Sequence, residues 1–188
     1  ESELEYHNLE PWIQWVSVHT GLSAANHNVF RLGDIVNNKH LEQIFEFLES
    51  KGLKVGCISP MNAINKLNKP TYFIPDPWTD SNSDQSFWSK LITKTLKFMV
   101  NNNAQNKFSI KAYLYLMLIF FRFAHFKHYA TYFKLIFKSL RGKWNKALVL
   151  DLLMHDIHMC FLLKKDPDFS TIFFNAGAHI QHHYLFTS

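Results

Sequence analysis

With 188 residues, 47% of them hydrophobic and 19% charged, the chain has the apolar material for a sizeable core, which excludes a disordered polypeptide. Cys57 and Cys160 are too few for a disulfide scaffold and lack zinc-ribbon spacing, so they read as buried thiols. The net charge of +5 permits an anionic partner without demanding one.

No basic leader with an apolar run and cleavage site follows Glu1, which leaves the compartment open between cytoplasm and periplasm. Pro11 suits the first position of a helix. Trp12, Ile13, Trp15, Val16 and His19 then recur at spacings of three and four up to the Gly21 stop, which puts Glu10 at the helix N-terminus. Residues 41–50 repeat the helical pattern and give way to a β-like run at 53–59, a helix-to-strand unit of an α/β sheet. A second short strand is expected at 71–74. The prolines at 75 and 77 then enforce a loop.

From about 87 to 165 the chain reads as helical, interrupted at Asn101-Asn102-Asn103 and at Arg141-Gly142-Lys143. Its most apolar run, 112–121, is about half the ~20 residues a membrane helix needs, so no transmembrane segment is expected. A crossover between parallel strands needs only one helix, so so long an excursion implies an inserted helical cap. Three segments follow: 1–86 as the first part of an α/β core, 87–142 as the cap, and 143–188 as the return to the core. Residues 169–174, β-branched and aromatic, read as a buried strand. Asn175 and His179 come directly after it, where α/β enzymes keep their sites.

His179-x-x-His182-His183, with Asn175 four residues before His179, is the richest run of metal-ligand types in the chain; a histidine-rich surface loop would read the same way. Asp151, His155 and His158 share one helix face by spacing, either as ligands or as a solvated stripe. Lys127, Lys134, Lys138, Arg141, Lys143 and Lys146 interleave with aromatic residues; they either steer an anion or form the wet side of helices whose aromatic side is core. Ser59, Asn62 and Asp76 follow expected strands, where a substrate or the fold itself can claim them.

Two motifs together resemble the alkaline phosphatase superfamily, in its type I phosphodiesterase and sulfatase-like branch. Pro167-Asp168-Phe169 through Asn175-Ala176-Gly177-Ala178-His179 is similar to the pattern in which Pro-Asp opens a strand and an Asp-x-x-x-His segment at its far end binds a metal. The run His19-Thr20-Gly21 with His27 is similar to the superfamily's helix ending in Thr-Gly, a short turn and His. The resemblance covers roughly residues 9–60 and 145–188, in the family's order. It implies an alkaline-phosphatase-like sheet flanked by helices, with the helical middle as a lineage-specific cap.

It further implies a metal-dependent hydrolase of phosphate or sulfate esters, phosphodiesters first, acting on a small anionic substrate with no nucleic acid expected. By resemblance His179 is a metal ligand, Asn175 an altered ligand in place of Asp, His183 a second candidate ligand, and Glu10 the occupant of the nucleophile position. The cofactor implied is a pair of divalent ions, zinc above all. Glu10-Pro11 departs from the family's Thr, Ser or Cys, so Glu10 is either a carboxylate nucleophile or ligand, or an acidic residue that suits a helix start. The family's early Asp and its later Asp-His pair and His find no match, which makes the expected object a fragment with part of the two-metal site and no turnover of its own. The alternative is a non-catalytic binding protein that keeps the fold and has lost the nucleophile.

Overall fold

The structure, a computed structural model, describes residues 10–104, 110–140 and 145–177. It is a mixed α/β protein in which a three-stranded parallel sheet lies between helices. Helix α1 (Pro11–Thr20) begins at Pro11 and ends on left-handed Gly21, whose N–H bonds the Ser17 carbonyl. A short α2 (Ala24–His27) and a 3₁₀ turn (Asp34–Asn37) lead to α3 (Ile44–Ser50). Helix α3 starts three residues after the first apolar residue of the expected stretch because Gln43 and Glu46 close a reciprocal capping box. Strands β1 (Val55–Ile58) and β2 (Tyr72–Ile74) follow, then α4 (Phe87–Ala104), α5 (Ile110–Phe123), a 3₁₀ turn (Phe126–His128), α6 (Tyr129–Ser139), α7 (Asn145–Lys165) and β3 (Phe169–Ile172).

The strand order is β2-β1-β3, so the first strand in sequence is central and the long helical excursion separates β2 from β3. Register pairs Gly56 with Tyr72 on one side and Ser170 on the other. Alternation along these strands sends side chains to two cores. Val55, Cys57 and Phe73 pack with Phe45 of α3 on one face. Ile58, Tyr72 and Ile74 pack on the other with Ile92, Ile119, Leu153, Ile157 and Phe161 from α4, α5 and α7. The helices at 87–165 therefore cover one face of the sheet.

Tyr72 crosses that second face. Its ring lies so close over Gly56 that a Cβ there would stand 2.3 Å from it, and its hydroxyl reaches Ser170 on β3 at 2.5 Å. Glycine at 56 is thus demanded by close approach rather than by backbone angle.

The Asn101 to Asn103 triplet lies inside α4, which runs to Ala104, because asparagine lowers helix propensity by only about 0.7 kcal/mol per residue. Helices α5 and α6 turn large apolar groups outward: Phe121, Phe133 and Phe137 are 62% exposed or more, so the aromatic side of these helices is not wholly core. Lys127, Lys134 and Lys138 are exposed beside them; Arg141 and Lys143 lie outside the described residues. No helix among the described residues is long and apolar enough to cross a membrane. Cys57 is buried as expected, while Cys160 is half-buried.

Candidate functional site at the carboxyl edge of the sheet

Because the three strands are parallel, their C-terminal ends share one edge, and the segments leaving them carry the polar groups the sequence pointed to. Ser59 follows β1 in a left-handed conformation (φ 55°), and its N–H bonds the Ile74 carbonyl at 2.6 Å. Asn62, also left-handed (φ 50°), is fully buried. Its side chain accepts from Gly33 N–H at 2.9 Å and donates to the carbonyls of Trp12 at 3.0 Å and Arg31 at 3.3 Å. One amide thereby holds the first turn of α1 and the loop after α2 against the end of β1.

Asp76, after β2, is equally buried and accepts four hydrogen bonds: from Asn62 N–H at 2.9 Å, from the N–H groups of Trp78 and Thr79 at 2.8 Å, and from the Thr79 hydroxyl at 2.7 Å. Burial pushes its carboxyl up, against the pull of those donors. Asn62 and Asp76 are therefore claimed by the fold, which settles between the two roles left open for them by the sequence. Asp84 does similar work further on, accepting from Phe73 N–H and Ser86 N–H at 2.8 Å.

Helix α1 reaches β3 as well: the Trp15 and Phe173 rings meet edge to face with centroids 5.4 Å apart. Glu10 is the N-cap residue of α1 and is exposed; its carbonyl accepts from Ile13 and Gln14, and its carboxylate makes no capping hydrogen bond. Asn175, two residues beyond Phe173, stands at the same edge of the sheet, while His179 and His183 lie outside the described residues. His27 is a packing residue, its Nδ1 accepting from Val29 N–H at 3.0 Å and its Nε2 3.1 Å from the Ser17 hydroxyl.

The spacing Asp151, His155, His158 survives on α7, yet the three side chains go to three places. Asp151 accepts from Ala176 N–H at 2.7 Å and from Asn175 N–H at 3.3 Å, which fixes the turn after β3 and brings a carboxylate beside Asn175. His155 turns to Asp156, with Nδ1 3.3 Å from Oδ1. His158 is buried, its Nε2 3.4 Å from the Ser170 hydroxyl, and burial lowers its pKa, with His155 adding to the effect. The face is not a uniformly solvated stripe, since His158 is buried while Asp151 and His155 are half-buried.

Periodicity gave no sign of Asp156, which lies one residue off the face it selected. Its carboxylate ties the turn after α5 to α7: Oδ2 accepts from His125 N–H at 2.8 Å and from the Tyr132 hydroxyl at 2.9 Å, and Oδ1 is 2.6 Å from His128 Nδ1. Burial alone would raise the Asp156 carboxyl, but these hydrogen bonds outweigh it and hold the group below its ordinary value. The only usable signal was the pairing of a His-x-x-His turn with a His-Asp step 28 residues later, a separation that helical spacing cannot read.

A surface groove of about 430 Å³ runs between the loop after β2 and α4, lined by Ser81, Ser83, Lys90, Thr93, Lys94 and Lys97 among others. None of Glu10, Asn62, Asp76 or Asn175 lines it, and its wall offers no convergent set of catalytic groups. Compared with models of protein families, with curated proteins and with solved structures, the chain matches none.

Proposed function

We propose that the chain is the metal-site portion of a hydrolase of phosphate or sulfate esters, phosphodiesters first, with its site at the carboxyl edge of the sheet. The observation that carries this reading is the seating of α1: Asn62 binds its first turn and Trp15 meets Phe173, so Glu10 and Asn175 belong to elements that meet at one edge. In this reading His179 and His183 ligate a divalent ion, zinc above all, and Asn175 contributes a neutral oxygen. Asp151, already bonded to the backbone beside Asn175, supplies the negative charge that Asn175 lacks.

When bound, such an ion would supply Lewis acidity toward an ester oxygen and positive charge to offset that developing on the leaving alkoxide. Glu10 attacks or ligates from the helix start, where the α1 dipole favours an anionic substrate group. The alkaline-phosphatase-like topology belongs to the same proposal, with the helices between β2 and β3 as a layer on one face of the sheet in place of the separate cap expected from the sequence.

A second reading, a binding protein without catalysis, draws on Glu10 standing where a hydroxyl or thiol would be the usual nucleophile and on Asn175 standing where a carboxylate would bind more tightly. Hydrolysis of bis(4-nitrophenyl) phosphate and 4-nitrophenyl sulfate, assayed with added zinc or manganese, separates the two. The hydrolase reading expects metal-dependent turnover by the protein as encoded, falling at least about a hundredfold in Glu10→Gln and in His179→Ala. Metal bound through His179 with no turnover of either ester supports the binding protein; metal retention unchanged in His179→Ala removes both.

A further inference from the structure

We propose that His128, His155 and Asp156 form a binding site for one divalent transition-metal ion, zinc in the first instance, at the seam between the α5–α6 turn and α7. The site stands on elements other than the carboxyl edge, and it does not rest on the hydrolase reading. One ligand atom from each residue lies within 4.8 Å of the other two. Both imidazole Nδ1 atoms face the same oxygen, Asp156 Oδ1, His128 at 2.6 Å and His155 at 3.3 Å.

The other carboxylate oxygen is already committed to His125 N–H and the Tyr132 hydroxyl, so Asp156 is oriented to offer Oδ1 alone. Outer hydrogen bonds of this kind fix a ligand's direction in metal sites. Among the described residues the ion-pair partners of Asp156 are His128 and His155, with no lysine or arginine to neutralise it. Anchoring the α5–α6 turn needs the His125 and Tyr132 bonds and one imidazole. The second imidazole, aimed at the same oxygen, is what a metal explains.

Ligands about 2.0 Å from a tetrahedral ion stand roughly 3.3 Å from one another. The His155–Asp156 distance already meets that spacing, His128 must draw back from Asp156 by about 0.7 Å, and the two imidazoles, whose ligand atoms lie within 4.8 Å, must settle at the same separation. Each imidazole would then carry its proton on Nε2, and the proton shared by His128 Nδ1 and Asp156 Oδ1 would leave to solvent. The two imidazole side chains are 35% and 43% exposed, so an ion can enter and water can fill the fourth position. Two imidazoles with one carboxylate favour zinc, nickel or copper over magnesium or calcium.

The test is a zinc titration of untagged, chelator-treated protein by calorimetry, repeated with cobalt to read the tetrahedral absorption bands. Wild type, His128→Ala, His155→Ala and His179→Ala are compared. The proposal expects one equivalent that is lost, or bound at least about tenfold more weakly, in His128→Ala and in His155→Ala and that is kept in His179→Ala, whatever the carboxyl edge binds besides. If His128→Ala fails to fold, His155→Ala decides alone, because its ring is the more exposed and its bond to Asp156 the longer. Zinc should raise Tm by less in His155→Ala than in wild type. No zinc bound by the wild type, or full binding retained by His155→Ala, overturns the proposal. Zinc lost only in His179→Ala overturns it too, and leaves the carboxyl-edge site standing.

Discussion

The main-chain N–H of Asn62 donates to the carboxylate of Asp76 at 2.9 Å, joining the segments that leave β1 and β2 at the carboxyl edge. Asn62 in turn holds α1 and the loop before the 3₁₀ turn through its side chain. The edge is thus organised by a buried carboxylate and a left-handed asparagine, and only then presents Glu10 and Asn175. Asp76→Ala leaves three N–H groups and a hydroxyl without their acceptor, at about 1 kcal/mol or more each. Urea unfolding should show a loss of roughly 3 kcal/mol or more; a loss under about 1 kcal/mol contradicts the assignment.

Gly56→Ala should be costly only while Tyr72 is present. The added methyl meets the phenol ring at 2.3 Å, and the ring has no free direction because its hydroxyl is bonded to Ser170. Gly56→Ala alone should destabilise by roughly 2 kcal/mol or more, and by much less in a Tyr72→Leu background, giving a coupling of about 1 kcal/mol or more in a double-mutant cycle. Additive losses would mean that the two residues do not compete for the same space.

Several of these features were legible in the sequence. The Pro11 start and Gly21 stop gave α1 its limits, and the β-branched and aromatic runs gave the three strands to within two or three residues, but the strand expected to be buried, β3, is half-buried throughout because it lies at the edge of the sheet. Those signals are local. The pairing of Tyr72 with Ser170 across Gly56, and of Asp156 with His125 and His128, joins residues 28 to 98 apart, where no period of 2 or 3.6 carries information. The spacing of Asp151, His155 and His158 placed them correctly on one helix, but a helix surrounded by sheet and helices offers different neighbours at each turn, so a shared face did not mean a shared site. The exposed Phe133 and Phe137 misled for the opposite reason, because apolar type alone does not say what covers a face.

Acid should weaken the fold through His19. The ring is packed between Trp15 and Phe45, with centroids 5.6 and 5.1 Å away, and among the described residues its Nδ1 has no hydrogen-bond partner. Burial lowers its pKa to about 4 from 6.5. The unfolded chain therefore binds the proton first as pH falls, so the contribution is complete above about 6.5 and is lost progressively between 6.5 and 4. The shift corresponds to about 3 kcal/mol at most. Stability measured from pH 7 to pH 4.5 should fall more steeply in wild type than in His19→Leu. Parallel curves would show that His19 is not buried as a neutral ring.

The account stands or falls on whether one cation at the carboxyl edge is reached by both the start of α1 and the segment after β3. Crystals soaked in zinc, with data collected on both sides of the zinc absorption edge, locate that cation directly. The account predicts an anomalous peak beside Asn175 and His179 with the Glu10 carboxylate within about 8 Å, the span of a two-metal site and its ligands. Glu10 and His179 more than roughly 15 Å apart, with no peak between them, would contradict it.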